Sequence, residues 1–225
     1  MEKREKGERI PSMFLEVLEA IYRLEQEGAS VSPARLGKRL GLGEAQTMER
    51  VLGLQGMGLV ETLISGLVLL TAEGERIAVG LIRKHRLIER FLYDVLGLPW
   101  DQVHGEAHSL TPVVSDQVGD RLARFLEDPK TCPHGNPIPS TEGALHAEAA
   151  VPLHRLNQGK AGVILRIEKE EPALLKYLAT LGLLPETKVE VEEVAPFGGP
   201  ILIRVGGSRY ALGRKVASKI FVKEA

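Results

Sequence analysis

Apolar residues recur at helical spacing through Met13, Phe14, Val17, Leu18, Ile21, Tyr22 and Leu24, which predicts a helix over residues 11 to about 27. Ser12 is placed to cap it and Gly28 to stop it. The next stretch opens with Ser32-Pro33, a cap followed by a proline at the first helical position, where its missing N–H costs nothing. Gly41-Leu42-Gly43 predicts a tight turn. A further helix follows from Glu44 to Met57, with Met48, Val51, Leu52 and Leu54 as its inner face. Helix, short glycine-containing turn, helix is the helix-turn-helix pattern. Two β-prone runs then flank Ser65-Gly66 and predict a hairpin, so the pattern is the winged variant.

Thr71, with Glu73 and Gly74, opens a helix that runs to about Leu96 and is ended by Gly97-Leu98-Pro99. A short helix is expected from about Trp100 to Ser109, and another from Thr111-Pro112 to Leu126. Residues 128–150 are rich in Pro, Gly, Ser, Thr and Asn without periodicity, the texture of a linker. From Val151 the pattern changes to short strands: residues 162–167, 188–191 and 201–205. A helix from Pro172 to Leu181 interrupts them, and Gly198-Gly199-Pro200 and Gly206-Gly207 mark turns. Short strands at close spacing predict a small β-barrel.

With 44% hydrophobic residues among 225, the chain can bury a real core, but aromatics are only 4%, so Leu, Val, Ile and Ala must fill it. No apolar run is long enough to span a bilayer. The charged start, Met1-Glu2-Lys3-Arg4-Glu5-Lys6, is followed by no apolar signal core, so a cytoplasmic location is expected. A single cysteine, Cys132, excludes an internal disulfide framework and any cysteine-rich zinc motif. The formal net charge of -1 requires that any phosphate-binding surface be local.

The segment Arg83-Lys84-His85-Arg86-Leu87-Ile88-Glu89-Arg90 places His85 and Glu89 one helical turn apart, so both side chains leave one face. In Val103-His104-Gly105-Glu106-Ala107-His108, His104 and His108 have the same spacing. Three of the six histidines thus lie in two short segments with ligand spacing, downstream of a DNA-binding pattern. There is no HExxH run, glycine-rich phosphate loop or nucleophile elbow, so no enzymatic activity is expected.

Several stretches resemble the diphtheria-toxin-repressor family of iron- and manganese-dependent repressors. They are Ala20-Ile21-Tyr22-Arg23-Leu24-Glu25, the runs from Arg83 to Leu92 and from Val103 to Ala107, Ser115-Asp116, and Gly135-Asn136-Pro137-Ile138-Pro139. The last string has no generic structural reason to exist. The resemblance implies a mainly α fold with α+β parts. Residues 1–72 would be a winged helix-turn-helix domain and 73–140 a helical metal-binding and dimerisation domain. Residues 141–150 would be a linker and 151–225 an SH3-like domain of the kind found in the ferrous-iron transport protein FeoA. It also implies a homodimer that binds a palindromic double-stranded operator when loaded with metal.

The same resemblance assigns His85, Glu89 and His104 to an ancillary metal site, completed by an anion on Arg86 and Asn136, with Cys132 where a serine is expected. Glu171 is the nearest match for a further carboxylate. Mn(II) or Fe(II) is expected, with Zn(II) or Co(II) acceptable to the same donors. A primary site would draw on Glu16 and Glu19 and on a run that here reads His108-Ser109-Leu110-Thr111-Pro112. His108 can ligate, but Thr111 and Pro112 replace a Glu and a His. A rearranged site of Glu16, Glu19, His108 and His85 is one expectation, and a dimeric regulator that has lost metal control is the other. In the recognition helix Gln46, Thr47 and Arg50 are expected to contact DNA, with Arg35, Lys38 and Arg39 of the preceding helix adding positive charge.

Overall fold

The computed structural model describes residues 10–145 and 148–225; the charged segment Met1 to Lys6 lies outside them. The chain divides into two compact units, one reaching Arg83 and including Thr141–Gly143, the other comprising Lys84–Ser140 and Ala144–Ala225. The division falls inside a helix. Residues 84–140 group with the β-rich C-terminal part, whereas the resemblance implies a boundary at 72/73 and a linker at 141–150.

The first unit holds α1 (Ser12–Gln26), α2 (Pro33–Leu40), α3 (Glu44–Gly56), β1 (Val60–Thr62), β2 (Val68–Leu70) and the start of α4 (Ala72–Asp94). Val17, Leu18, Ile21, Leu36, Val51, Leu54 and Val68 are its fully buried core. Pro11, not Ser12, stands at the cap position of α1. The Ser32 side chain accepts from Arg35 N and caps α2, and Gly41 closes that helix in the left-handed region. β1 and β2 form the expected antiparallel hairpin, Val60 opposite Leu70. Leu52, expected inside, is 57% exposed, because α3 buries the 47, 51, 54 stripe.

In the second unit α4 continues to Asp94, followed by α5 (Val103–Leu110) and α6 (Asp116–Phe125). The helix expected from Thr111 begins four residues late. Thr111 still has helical dihedrals at the end of α5, and Ser115 caps α6 by accepting from Val118 N. Ile88, Leu92, Val103 and Ala107 pack α4 against α5. Leu87, Ala123 and Ile138 join α4 to α6 and to the segment after it.

The C-terminal part is one antiparallel sheet, β3-β8-β4-β5-β6-β7, built from β3 (Val151–Pro152), β4 (Ala161–Ile167), β5 (Lys188–Val194), β6 (Ile201–Val205), β7 (Ser208–Leu212) and β8 (Ile220–Glu224). α7 (Pro172–Thr180) and the single turn α8 (Arg214–Ala217) accompany it. β3, β7 and β8 were not foreseen from the sequence. Trp100, from the α4–α5 connection, packs into the core of this sheet with Ile164, Ile167 and Leu178.

Residues 130–140, read from composition as linker, are ordered and mostly buried. Thr131 and Pro137 form a β-bridge, Cys132 N donates to Asn136 O (2.9 Å), and Gly135 N donates back to Cys132 O (2.9 Å). This turn docks on β4 where a bulge shifts the register between Ile164 and Arg166, with Ile167 N donating to His134 O (2.9 Å). Gly135 makes that approach feasible. Its φ is +82°, and a Cβ there would fall 1.8 Å from Leu165 O.

Gly135→Ala should therefore lose roughly 3 kcal/mol or more of stability in urea unfolding, since strain and a backbone clash add. Gly28→Ala, at a similar φ of +69° but in open space, should lose only about 1–2 kcal/mol.

Candidate metal centre

Four elements of the second unit converge on one buried spot. α4 supplies His85 and Glu89 from one face, and α5 supplies His104. The turn after α6 supplies Cys132 and His134, and the β4–α7 connection supplies Glu170. Their ligand atoms fall into two groups, His85/Glu89/His104/Glu170 and Glu89/Cys132/His134/Glu170, each within 4.8 Å. His85 is 1% exposed and Glu89 and His134 are 0% exposed.

Glu89 Oε1 lies 3.0 Å from His85 Nε2 and 2.8 Å from His104 Nδ1. His104 Nδ1 is also 3.1 Å from Glu170 Oε2 and 3.1 Å from His85 Nε2. Asn136 Nδ2 donates to Glu170 Oε1 (2.7 Å) and to Ile167 O (3.1 Å), which fixes the Glu170 carboxylate in place.

Backbone groups decide which imidazole nitrogens face inward. His134 Nε2 donates to Trp100 O (2.9 Å), so in the neutral ring Nδ1 carries the lone pair. That Nδ1 is buried, points at Glu89 and Glu170, and has no hydrogen-bond partner among the described residues. On the other side Thr111 Oγ1 donates to Ala107 O (2.6 Å), so it must accept from His85 Nδ1 (3.3 Å). His85 Nε2 is thereby left as the ligating nitrogen. Thr111, which stands where the family pattern has a carboxylate, is a positioning residue for His85.

Burial pushes both carboxylates toward the neutral form. For Glu89 the His85 charge, hydrogen bonds from His104 and His85 and the nearby His134 outweigh this and hold it well below the usual carboxylate range. Glu170 is likewise depressed: burial and the Glu89 charge raise it, and His104 and His134 override them. Burial lowers His104, but hydrogen bonds to Glu170 and Glu89 raise it to about 9. Cys132 is pushed up to about 11 by burial and by the Glu89 charge. The site is thus a buried set of anions held by protons on imidazoles. Glu89 Oε2, like His134 Nδ1, is buried without a partner among the described residues. Mixed N, O and S donors with two unpartnered buried atoms fit a divalent transition-metal ion.

Some expected residues sit elsewhere. Glu171 is 65% exposed and pairs with Lys169 (3.0 Å), so the inward carboxylate is Glu170, one residue earlier. The cause is local: Glu171 is the residue before α7 and turns outward, while Asn136 holds its neighbour. His108 is exposed and in neither donor group, its ring centroid 6.5 Å from that of His85. Asn136 is spent on Glu170 and Ile167. Arg86 donates through Nη1 to Pro137 O, and its Nε is buried without a partner among the described residues. Glu16 pairs with Arg50 (3.2 Å) and Glu19 with Arg23 (2.8 Å), both within the first unit. His134 and Glu170 were missed. The signal for His134 was its place beside the unexplained Gly135-Asn136-Pro137 string. Glu170 lies in an acidic run, Glu168-Lys169-Glu170-Glu171, whose inward member only packing selects.

On the first unit Gln46 and Lys38 are exposed. Thr47 is fully buried and donates to Gly43 O (2.9 Å), so it does not face outward as expected. Arg39 holds Glu27 with two hydrogen bonds (2.8 and 2.9 Å), and Arg35 donates to Ser30 O (2.7 Å).

Residues 71–140 match the family model described as the iron-dependent repressor, metal binding and dimerisation domain, and residues 151–224 match the FeoA domain. The iron-dependent repressor IdeR of Mycobacterium leprae (strain TN) is 34% identical over 219 residues, covering 92% of this chain and 95% of the relative. The diphtheria toxin repressor of Corynebacterium diphtheriae is 38% identical over 141 residues, 62% of each chain. A solved structure described as a manganese-dependent transcriptional repressor in complex with manganese aligns with a TM-score of 0.86 at 32% identity, over 94% of this chain and 100% of that one. The manganese regulator SloR aligns with a TM-score of 0.78 at 30% identity, over 94% and 98%.

Two measurements probe the centre directly. His104 is stabilised as the cation, so its contribution is complete below pH 6.5 and lost as pH rises through about 9. The two carboxylates act oppositely, contributing above pH 4.5 and failing as acid reaches their depressed values. The metal-free protein should melt at progressively lower temperature from pH 6.5 to 9, and His104→Gln should flatten that slope. Thr111→Val should weaken Mn(II) binding in calorimetry by about 10–100-fold, with Thr111→Ser retaining it.

Proposed function

The chain belongs to the family of iron-dependent repressors that includes the diphtheria toxin repressor, and from that premise we propose that it is a metal-dependent, DNA-binding transcriptional repressor of iron or manganese homeostasis. The observation that carries the metal dependence is the buried convergence of Glu89, Glu170, His85, His104 and His134, with lone pairs left unpartnered. His85, Glu89, His104 and Glu170 would hold the ion, with Mn(II) or Fe(II) as the physiological metal and Zn(II) or Co(II) as substitutes. Bound there, the ion would supply positive charge to the carboxylates and tie α4 and α5 to the β4–α7 connection.

We read residues 1–72 as a winged helix-turn-helix with α3 as recognition helix and β1–β2 as wing. Residues 73–140 are the helical metal-binding and dimerisation domain, and 151–225 an SH3-like FeoA-type domain. Gln46 on α3 and Lys38 and Arg35 on α2 are the proposed DNA contacts. Arg50 and Arg39 would exchange Glu16 and Glu27 for phosphates. A homodimer would place two α3 helices on a palindromic operator. Exposed Val113, Val118 and Phe125 supply apolar surface for the partner copy. An ion favours the DNA-binding arrangement only so far as it binds that arrangement more tightly. We assign Glu16 and Glu19 no metal role, since each is ion-paired within the first unit.

Palindromic duplexes selected from a random pool should bind about 5–150-fold more tightly with Mn(II) or Fe(II) than with chelator. His85→Ala and Glu170→Gln should each lose that gain. Equal affinity with metal and with chelator would remove metal control from the function.

A further inference from the structure

The two donor groups of the metal centre are contiguous, and two carboxylates belong to both. Glu170 divides its oxygens between them. Oε2 faces His104 Nδ1 at 3.1 Å, while Oε1 faces His134 Nδ1 at 3.5 Å and Cys132 Sγ at 3.9 Å. One oxygen toward each group is the disposition of a bridging carboxylate. Glu89 reaches both groups through a single oxygen. Its Oε1 lies within 3.0 Å of His85 and 2.8 Å of His104, and 3.6 Å from His134, and its Oε2 is buried with no partner among the described residues.

We propose that this centre holds two divalent transition-metal ions bridged by Glu89 and Glu170, one bound by His85 and His104, the other by Cys132 and His134. The inference rests on the reading of this cluster as a metal centre and extends it in number of ions and in making Cys132 a ligand.

A single ion leaves part of the site unsatisfied wherever it sits. Held by His85 and His104, it would leave His134 Nδ1 either a buried acceptor with nothing to accept or, protonated, a third positive charge beside two carboxylates that the ion already balances. The tautomer of His134 is set by Trp100 O, so that nitrogen cannot turn itself into a donor without taking on charge. Held by Cys132 and His134, the ion would leave His85 Nε2, whose Nδ1 proton is committed to Thr111, beside the Glu89 carboxylate. Neither donor group contains both His85 and Cys132, so the six donors do not gather around one point. Two ions satisfy every one of them. Carboxylate-bridged pairs stand about 3.5–4 Å apart, close enough for the ions to couple magnetically. The two positions also differ in kind. One offers imidazole and carboxylate alone, and the other adds a thiolate, which favours a softer ion such as Co(II) or Zn(II). Binding at the second position displaces the Cys132 thiol proton to solvent.

The test uses the full chain stripped of metal and titrated with Co(II). Wild type should show a near-ultraviolet thiolate-to-cobalt absorption band and an exchange-coupled electron paramagnetic resonance signal. Cys132→Ser should lose the band and one ion, and His85→Ala should lose one ion and keep the band. Each should leave an isolated Co(II) spectrum. His134→Gln provides a second route to the thiolate position if thermal melting shows that Cys132→Ser does not fold. A wild type that binds Co(II) at the His85/His104 position with no thiolate band, or whose ions are uncoupled, overturns the pair and leaves the single-ion repressor reading standing. A wild type that binds no Co(II) and no Mn(II) overturns both.

Discussion

Two carboxylates, Glu89 and Glu170, are buried side by side in the second unit, and their need for positive charge organises everything around them. An uncompensated buried carboxylate costs several kcal/mol even after relaxation. Here three imidazoles, an asparagine amide and a thiol from α4, α5 and the turn after α6 gather around them. In the metal-free state protons on His104 and His134 supply the charge, held against the cost of burial by Glu170 and Glu89 and, for His134, first by Cys132. A divalent cation supplies it better, since it brings two charges to one point and fills lone pairs that protons leave unused. Metal binding and proton release are therefore one event.

The support around the ligands is built mostly from backbone. Trp100 O fixes His134, Ala107 O fixes Thr111 and through it His85, and Ile167 O helps to hold Asn136, which holds Glu170. Trp100 in turn donates through Nε1 to Pro133 O (2.9 Å), so its side chain and its carbonyl grip the same turn from both sides. This is the arrangement expected of a site that must discriminate among ions. Backbone partners do not rotate away, and the Leu165 bulge with Gly135 lets the turn lie directly on β4.

The first unit carries a modest cationic surface, and much of it is engaged. Arg39 is held by Glu27 and Arg50 by Glu16, so phosphate contact there means exchanging one anion for another. Such exchange would lower the net gain from each phosphate at these two positions.

Periodicity, together with cap and turn residues, determined the helices from Ser12 to Asp94, the β1–β2 hairpin and the helix ends at Ser32, Gly41 and Gly28. These depend on contacts between near neighbours and on backbone preferences that each residue carries with it. The i,i+4 pair His85/Glu89 was legible for the same reason: a helix by itself puts both on one face. His134 and Glu170 were not legible, nor was the choice of Glu170 over Glu171, and Cys132 was placed near the site by resemblance alone. They come from irregular segments whose side-chain directions have no period, and only the docking of a non-helical turn against a bulged strand decides which of them point inward. Thr111 is the clearest instance. In the sequence it is a ligand position filled by a poor ligand, and only its hydrogen bonds to Ala107 and His85 in the folded chain give it a part in the centre.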